Sequence, residues 1–78
     1  MGPVTQKSRI ENQIRRLRFE AHEMTQKDLA EAVGVTRQTI MAIEAAKYSP
    51  SLDLAFQIAR VFGRPIDEVF QFSPKDAG

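Results

Sequence analysis

With 78 residues, 42% hydrophobic and 27% charged, the chain has the balance of a soluble globular protein with room for one domain and one small core. It has no cysteine and a single histidine, which excludes disulfides and thiolate metal sites, and no run approaches the ~20 apolar residues of a membrane span. The net charge of +1 conceals a split: Lys7, Arg9, Arg15, Arg16 and Arg18 face only Glu11 within residues 1–18, while acids outnumber bases in residues 19–78.

A basic stretch of this kind is either an anion-binding face or an ordinary solvated helix surface. No signal-peptide core is visible, so a cytoplasmic protein without a membrane partner is expected. Residues 1–8 and 73–78 lack periodic patterning and read as flexible ends around one domain, residues 9–72. Within it, apolar residues recur at helical spacing between clear start and stop signals.

The first helix is expected to follow Asn12 as its N-cap, with Ile14, Leu17 and Ala21 on one face. The second starts at "MTQKDL": Thr25 caps it, Asp28 completes a capping box, and Met24 staples onto Leu29. Its buried stripe is Leu29, Ala30 and Val33, and Gly34 offers the left-handed conformation that ends a helix. The third helix starts in the same way, with Val35 as staple residue, Thr36 as cap and Ile40 as staple partner. Two helices so closely joined must cross steeply. With Ile40, Ile43 and Ala42 or Ala46 inward, Arg37, Gln38, Thr39 and Met41 are left outward.

Ser51 caps a fourth helix with Asp53 in its first turn; its face is Leu54, Ala55, Ile58, Ala59 and Phe62, and Gly63 ends it. Pro65 restarts a short fifth helix at about Ile66–Val69. The alternation in "VFQF" then suits a brief strand. The expected fold is all-α in the main: five short helices with a helix-turn-helix, and a small two-stranded antiparallel ribbon at the ends.

Enzymatic constellations are missing. There is no glycine loop to cradle phosphate, no Ser–His–Asp set and no pair of carboxylates in an apolar cleft. We therefore expect no enzyme, no cofactor, no metal and no small-molecule ligand. His22 reads as an exposed residue at the end of helix one. Glu44 reads either as a surface acid or as a partly buried carboxylate paired with Arg15 or Arg18; the structural pair is the expectation, without catalysis.

The start of helix three carries Thr36, Arg37, Gln38 and Thr39, hydrogen-bonding side chains without a carboxylate among them. Arginine can take guanine N7 and O6 in two bonds, and glutamine can do the same for adenine N6 and N7. Threonine can reach phosphate oxygens, and free amides at helix starts favour a nearby phosphate. By itself the tetrapeptide is weak, because polar helix starts are common. It gains weight from its flanks, "TQKDLAEAVGV" and "IMAIEAAKYSPSL".

From Ile14 to Phe72, through "IRRLRFEAHEMTQKDLAEAVGVTRQTIMAIEAAKYSPSLDLAFQIARVFG", the chain resembles the lambda-repressor-like (Cro/XRE) helix-turn-helix family. The resemblance implies a five-helix bundle that binds double-stranded DNA as a transcriptional regulator. It implies a phosphate or base contact at Gln26, an exposed recognition-helix start at Thr36, Arg37, Gln38 and Thr39 with Met41 and Ala42 one turn later, and loop phosphate contacts at Lys47, Tyr48 and Ser49. On that footing we expect base readout from Arg37, Gln38 and Met41 and backbone contacts from Gln26, Lys27, Thr36, Thr39, Lys47, Tyr48 and Ser49. Two departures stand out. Ala46 replaces the usual glycine, so it must be left-handed or let helix three run on, and "EAHEM" lengthens the first turn by one residue.

The tail "RPIDEVFQFSP" resembles a subgroup of small dimeric regulators in which a C-terminal strand pairs with an N-terminal one. Here the pair would be Arg9–Glu11 with Phe70–Phe72. Phe56, Ile66, Val69, Phe70 and Phe72 exceed what so small a core can cover, which points to a homodimer interface. The competing reading is a protein-interaction module, antitoxin-like or adaptor, on the same scaffold.

Overall fold

The computed structural model describes residues 10–72. Arg9 and the end segments 1–8 and 73–78 lie outside the described residues. Among those described, the chain runs β1 (Ile10–Asn12), α1 (Ile14–Glu20), α2 (Gln26–Val33), α3 (Arg37–Glu44), α4 (Leu52–Phe62), α5 (Ile66–Val69) and β2 (Phe70–Phe72). Every helix contributes to one core, built from Ile14, Leu17, Leu29, Ala30, Val33, Ile40, Ile43, Leu54, Ile58, Ala59 and Val69. Met24, Val35 and Phe62 pack against it from the helix ends. None of the helices exceeds eleven residues, below the length at which isolated helices persist in water, so packing and end-capping must hold them.

The caps follow the expected side chains. Thr25 accepts the Asp28 amide at 2.9 Å, and the Asp28 carboxylate accepts the Thr25 amide at 3.1 Å. Bonding to the Thr25 amide, and secondarily to its hydroxyl, holds the Asp28 carboxyl below the usual carboxylate range. Thr36 accepts the Thr39 amide, and Ser51 accepts that of Leu54.

Three helices close in one way. Val35 N–H bonds back to Ala30, Lys47 to Ala42 and Arg64 to Ala59, each across a left-handed residue. That residue is Gly34 (φ 76°) after α2, Ala46 (φ 59°) after α3 and Gly63 (φ 67°) after α4. The alternative of a longer α3 does not occur: α3 stops at Glu44, and Ala46 bears the strain of a Cβ in the left-handed region. The longer first turn is built differently, with His22 and Glu23 both left-handed (φ 60° and 59°) and Met24 N–H reaching back to Arg18.

The ribbon is present but shifted by one residue from the expected pairing. Ile10, Glu11 and Asn12 oppose Phe72, Gln71 and Phe70. The reason is Asn12, which serves three neighbours at once. It pairs in the ribbon, its amide donates to the Ile43 carbonyl at 2.8 Å, and its side-chain oxygen accepts Ile14 N–H at 3.1 Å. The N-cap is therefore Gln13, without a side-chain cap bond, and not Asn12, which remains one position earlier in the strand and takes the Ile14 amide from there. Ala21 falls just past the end of α1 and is half-buried.

Glu44 closes the far end of α3. Its carboxylate accepts Arg18 Nε at 2.6 Å and Nη2 at 3.2 Å, while Arg18 Nη1 donates to the Met24 carbonyl at 2.9 Å. Arg18, not Arg15, is thus the partner. Both side chains are mostly buried, 14% and 11% exposed, so water screens the pair little.

Two measurements test these constraints by chemical denaturation. Ala46→Gly is expected to stabilise the domain by about 0.5–1 kcal/mol, the relief of left-handed strain less the entropy of glycine. Glu44→Ala is expected to cost about 2 kcal/mol by leaving a buried guanidinium unpaired, whereas the double replacement Arg18→Met with Glu44→Leu recovers most of that loss.

Candidate nucleic-acid interface

The Gly34 corner sets α3 at its angle. Val33 is buried before the corner, Val35 packs on the core after it, and Ile40 and Ile43 are buried further along. This fixes the rotation of α3 about its own axis. Arg37, Gln38 and Met41 are consequently exposed, and Thr39 is half-buried.

Thr36 and Thr39 are less free than their exposure suggests. Thr36 Oγ1 already accepts the Thr39 amide, and the two hydroxyls lie 3.1 Å apart. One hydroxyl proton is spent on the other oxygen, which leaves one for an outside acceptor. A phosphate contact from both threonines would require that bond to break.

Lys47, Tyr48 and Ser49 follow left-handed Ala46, and all three are exposed. The turn aims this loop away from the core beside the end of α3. At the start of α2, Lys27 is exposed, whereas Gln26 is half-buried and donates its amide to Glu44 Oε1 at 3.2 Å. Gln26 is therefore a tethered side chain rather than a free one. Sequence spacing held no sign of that bond, since the partners lie 18 positions apart.

The ion pairs sort the cations into two groups. Arg16 and Arg64 pair with Glu20, and Arg64 also with Glu68. Arg15, Lys27, Arg37, Lys47 and, on α4, Arg60 form no ion pair with any described residue. Lys27, Arg37 and Lys47 border the exposed starts of α2 and α3 and the loop after α3. Their positive charge is left available to an anion, alongside the positive dipole ends of two helices. Arg15 adds to them from α1, lining one open cleft with Gln26, Met41 and Glu44. That contribution was missed from sequence, although Arg15 belongs to the basic stretch.

The residues expected at a subunit interface divide. Val69 does not belong with them: it is 0% exposed and part of the core, because the single turn of α5 points it inward to close the bundle. Phe56 and Phe72 are exposed, and Ile66 and Phe70 are half-buried. Leu52, 69% exposed, was missed. It precedes Phe56 by four residues on α4 and so shares its face. Leu52, Ile66 and Phe70 line an apolar furrow with Ile10, Pro50 and Ala55.

No helix among the described residues is long and apolar enough to cross a membrane, and no group of metal-ligating side chains occurs among them.

Comparison with known proteins agrees with this geometry. The helix-turn-helix family profile matches residues 14–69. An uncharacterised HTH-type transcriptional regulator of Methanocaldococcus jannaschii is 59% identical over 49 residues, spanning 63% of this chain and 74% of the relative. Another from Bacillus subtilis, YgzD, is 43% identical over 78% of this chain and 91% of its own length. The phage CTXphi transcriptional repressor RstR of Vibrio cholerae is 34% identical over 74% of this chain and 51% of its own. A crystal structure of a candidate DNA-binding protein from Bacteroides fragilis superposes with a TM-score of 0.70 at 26% identity, covering 80% of this chain and 98% of that one. With its corner at Gly34, its exposed α3 start and a family match over most of its length, the chain belongs to the helix-turn-helix family of Cro/XRE-type transcriptional regulators.

Proposed function

We propose that this regulator binds a specific, pseudo-palindromic site on double-stranded DNA as a homodimer, with α3 of each subunit in the major groove. The observation that carries the reading is the exposed, carboxylate-free start of α3, where the Arg37 and Gln38 side chains form no hydrogen bond with another described residue. Arg37 and Gln38 read base edges, with Met41 beside them one turn along. Gln26, Lys27, Lys47, Tyr48 and Ser49 position the protein on phosphates, with Thr36 and Thr39 offering between them one free hydroxyl proton to the same backbone. Repression is the regulatory sense we favour, on the likeness to a protein named as a phage repressor.

The dimer reading rests on the apolar surface around α4, α5 and β2. Leu52, Phe56 and Phe72 are each more than half exposed, and Ile66 and Phe70 adjoin them. An uncovered apolar patch of this extent on so small a domain marks an interface. A two-fold axis through it would set the two α3 helices to read half-sites about one helical turn, ~34 Å, apart.

Selection of bound duplexes from a random pool tests binding, palindromy and spacing together. Against a selected duplex, Arg37→Ala is expected to cost about 1–3 kcal/mol and relax preference at one base pair. Lys47→Ala should weaken all sequences alike and lower the salt slope by about 1. An unchanged base preference in Arg37→Ala would remove α3 from the reading role. For the dimer, Leu52→Glu should shift sedimentation to that of a monomer without altering helicity, since Leu52 lies outside the core. A chain that binds no duplex at low salt yet co-purifies with a protein partner would favour the interaction-module reading.

A further inference from the structure

Gln26 holds one bond that decides which way its amide faces. Its Nε2 lies 3.2 Å from Glu44 Oε1. A carboxylate only accepts, so the nitrogen end of the amide must turn toward Glu44 and the oxygen end away from it. Glu44 cannot turn aside to release it: both of its oxygens accept from Arg18, which is itself held by the Met24 carbonyl.

We propose that Glu44 is a positioning residue for DNA binding, which orients Gln26 so that its second amide N–H is presented to a backbone phosphate. This deepens the DNA reading above and rests on it. Three features support the assignment. Gln26 and Glu44 line one open cleft with Arg15 and Met41, on the side of the molecule that carries the exposed part of α3. Arginine is always protonated, so Arg18 cancels the carboxylate charge that would otherwise repel a phosphate there. The amide NH2 has two protons, of which Glu44 takes one. The order of bonds is thus Met24 carbonyl, Arg18, Glu44, Gln26, phosphate, with each donor and acceptor in its allowed sense.

A purely structural Glu44 would lower stability but act on DNA affinity independently of Gln26. The test is therefore a double-mutant cycle on a selected duplex, with thermal unfolding followed in parallel. If Glu44 acts through Gln26, Glu44→Gln weakens binding about fivefold more in the wild-type background than in a Gln26→Ala background. Any general effect of removing one negative charge is common to both backgrounds and cancels. Equal losses in the two backgrounds, with duplex binding retained, overturn the positioning role. Failure of the unaltered protein to bind any duplex at low salt overturns the DNA reading itself, which is a separate outcome.

A second measurement needs no variant. Side-chain 15N relaxation of the free protein should show the Gln26 amide more rigid than those of exposed Gln38 and Gln57. Equal mobility of the three overturns the proposal.

Discussion

The bonds between Glu44 and Arg18 lie where the ends of three short helices converge, and the orientation of the exposed face depends on them. Arg18 belongs to α1, Glu44 closes α3, and Gln26 opens α2. None of these helices exceeds eight residues, so none is stable alone, and each must be fixed by what it packs on and by how its ends are satisfied. Apolar burial supplies most of the stability but has no direction. The paired charges and the Asn12 bond to Ile43 add the directional part, fixing the end of α3 against α1 and β1.

The other end of α3 is fixed by backbone geometry. Gly34 turns the chain through the left-handed region, and Thr36 then caps the new helix. With one end set by a corner and the other by an ion pair, α3 has little freedom to roll. The exposure of Arg37 and Gln38 follows from this arrangement: their neighbours Ile40 and Ile43 are committed to the core, leaving the intervening positions outside. A rigidly presented side chain loses less entropy on binding, which suits a readout surface.

Two parts of the surface carry different chemistry. Around the starts of α2 and α3 and the loop beyond, basic side chains lack acidic partners among the described residues. Along α4 and β2, Leu52, Phe56 and Phe72 leave large apolar surfaces uncovered. Elsewhere, Glu20 and Glu68 neutralise Arg16 and Arg64. A monomer this size gains little from such uncovered apolar surface, whereas the proposed two-fold assembly would cover it.

Local signals determined much of this protein. The capping pairs Thr25–Asp28 and Thr36–Thr39, the stop at Gly34 and the restart at Pro65 act over four residues or fewer, so neighbouring residue types suffice to specify them. The inward stripes of α2, α3 and α4 were equally legible, because helical periodicity needs only the residues of one helix. Where bonds join distant positions, only the tertiary structure decided. It chose Arg18 over Arg15 for Glu44, drew the Gln26 amide inward, and shifted the ribbon so that Asn12 could reach Ile43. It also buried Val69 and exposed Leu52, since one turn of α5 is too short to reveal its own phase and Leu52 stands at the first turn of α4, off the buried stripe. The reason is common to all of these: pattern along a chain specifies which face of an element is apolar, but which polar atoms meet across elements depends on how those faces are packed together.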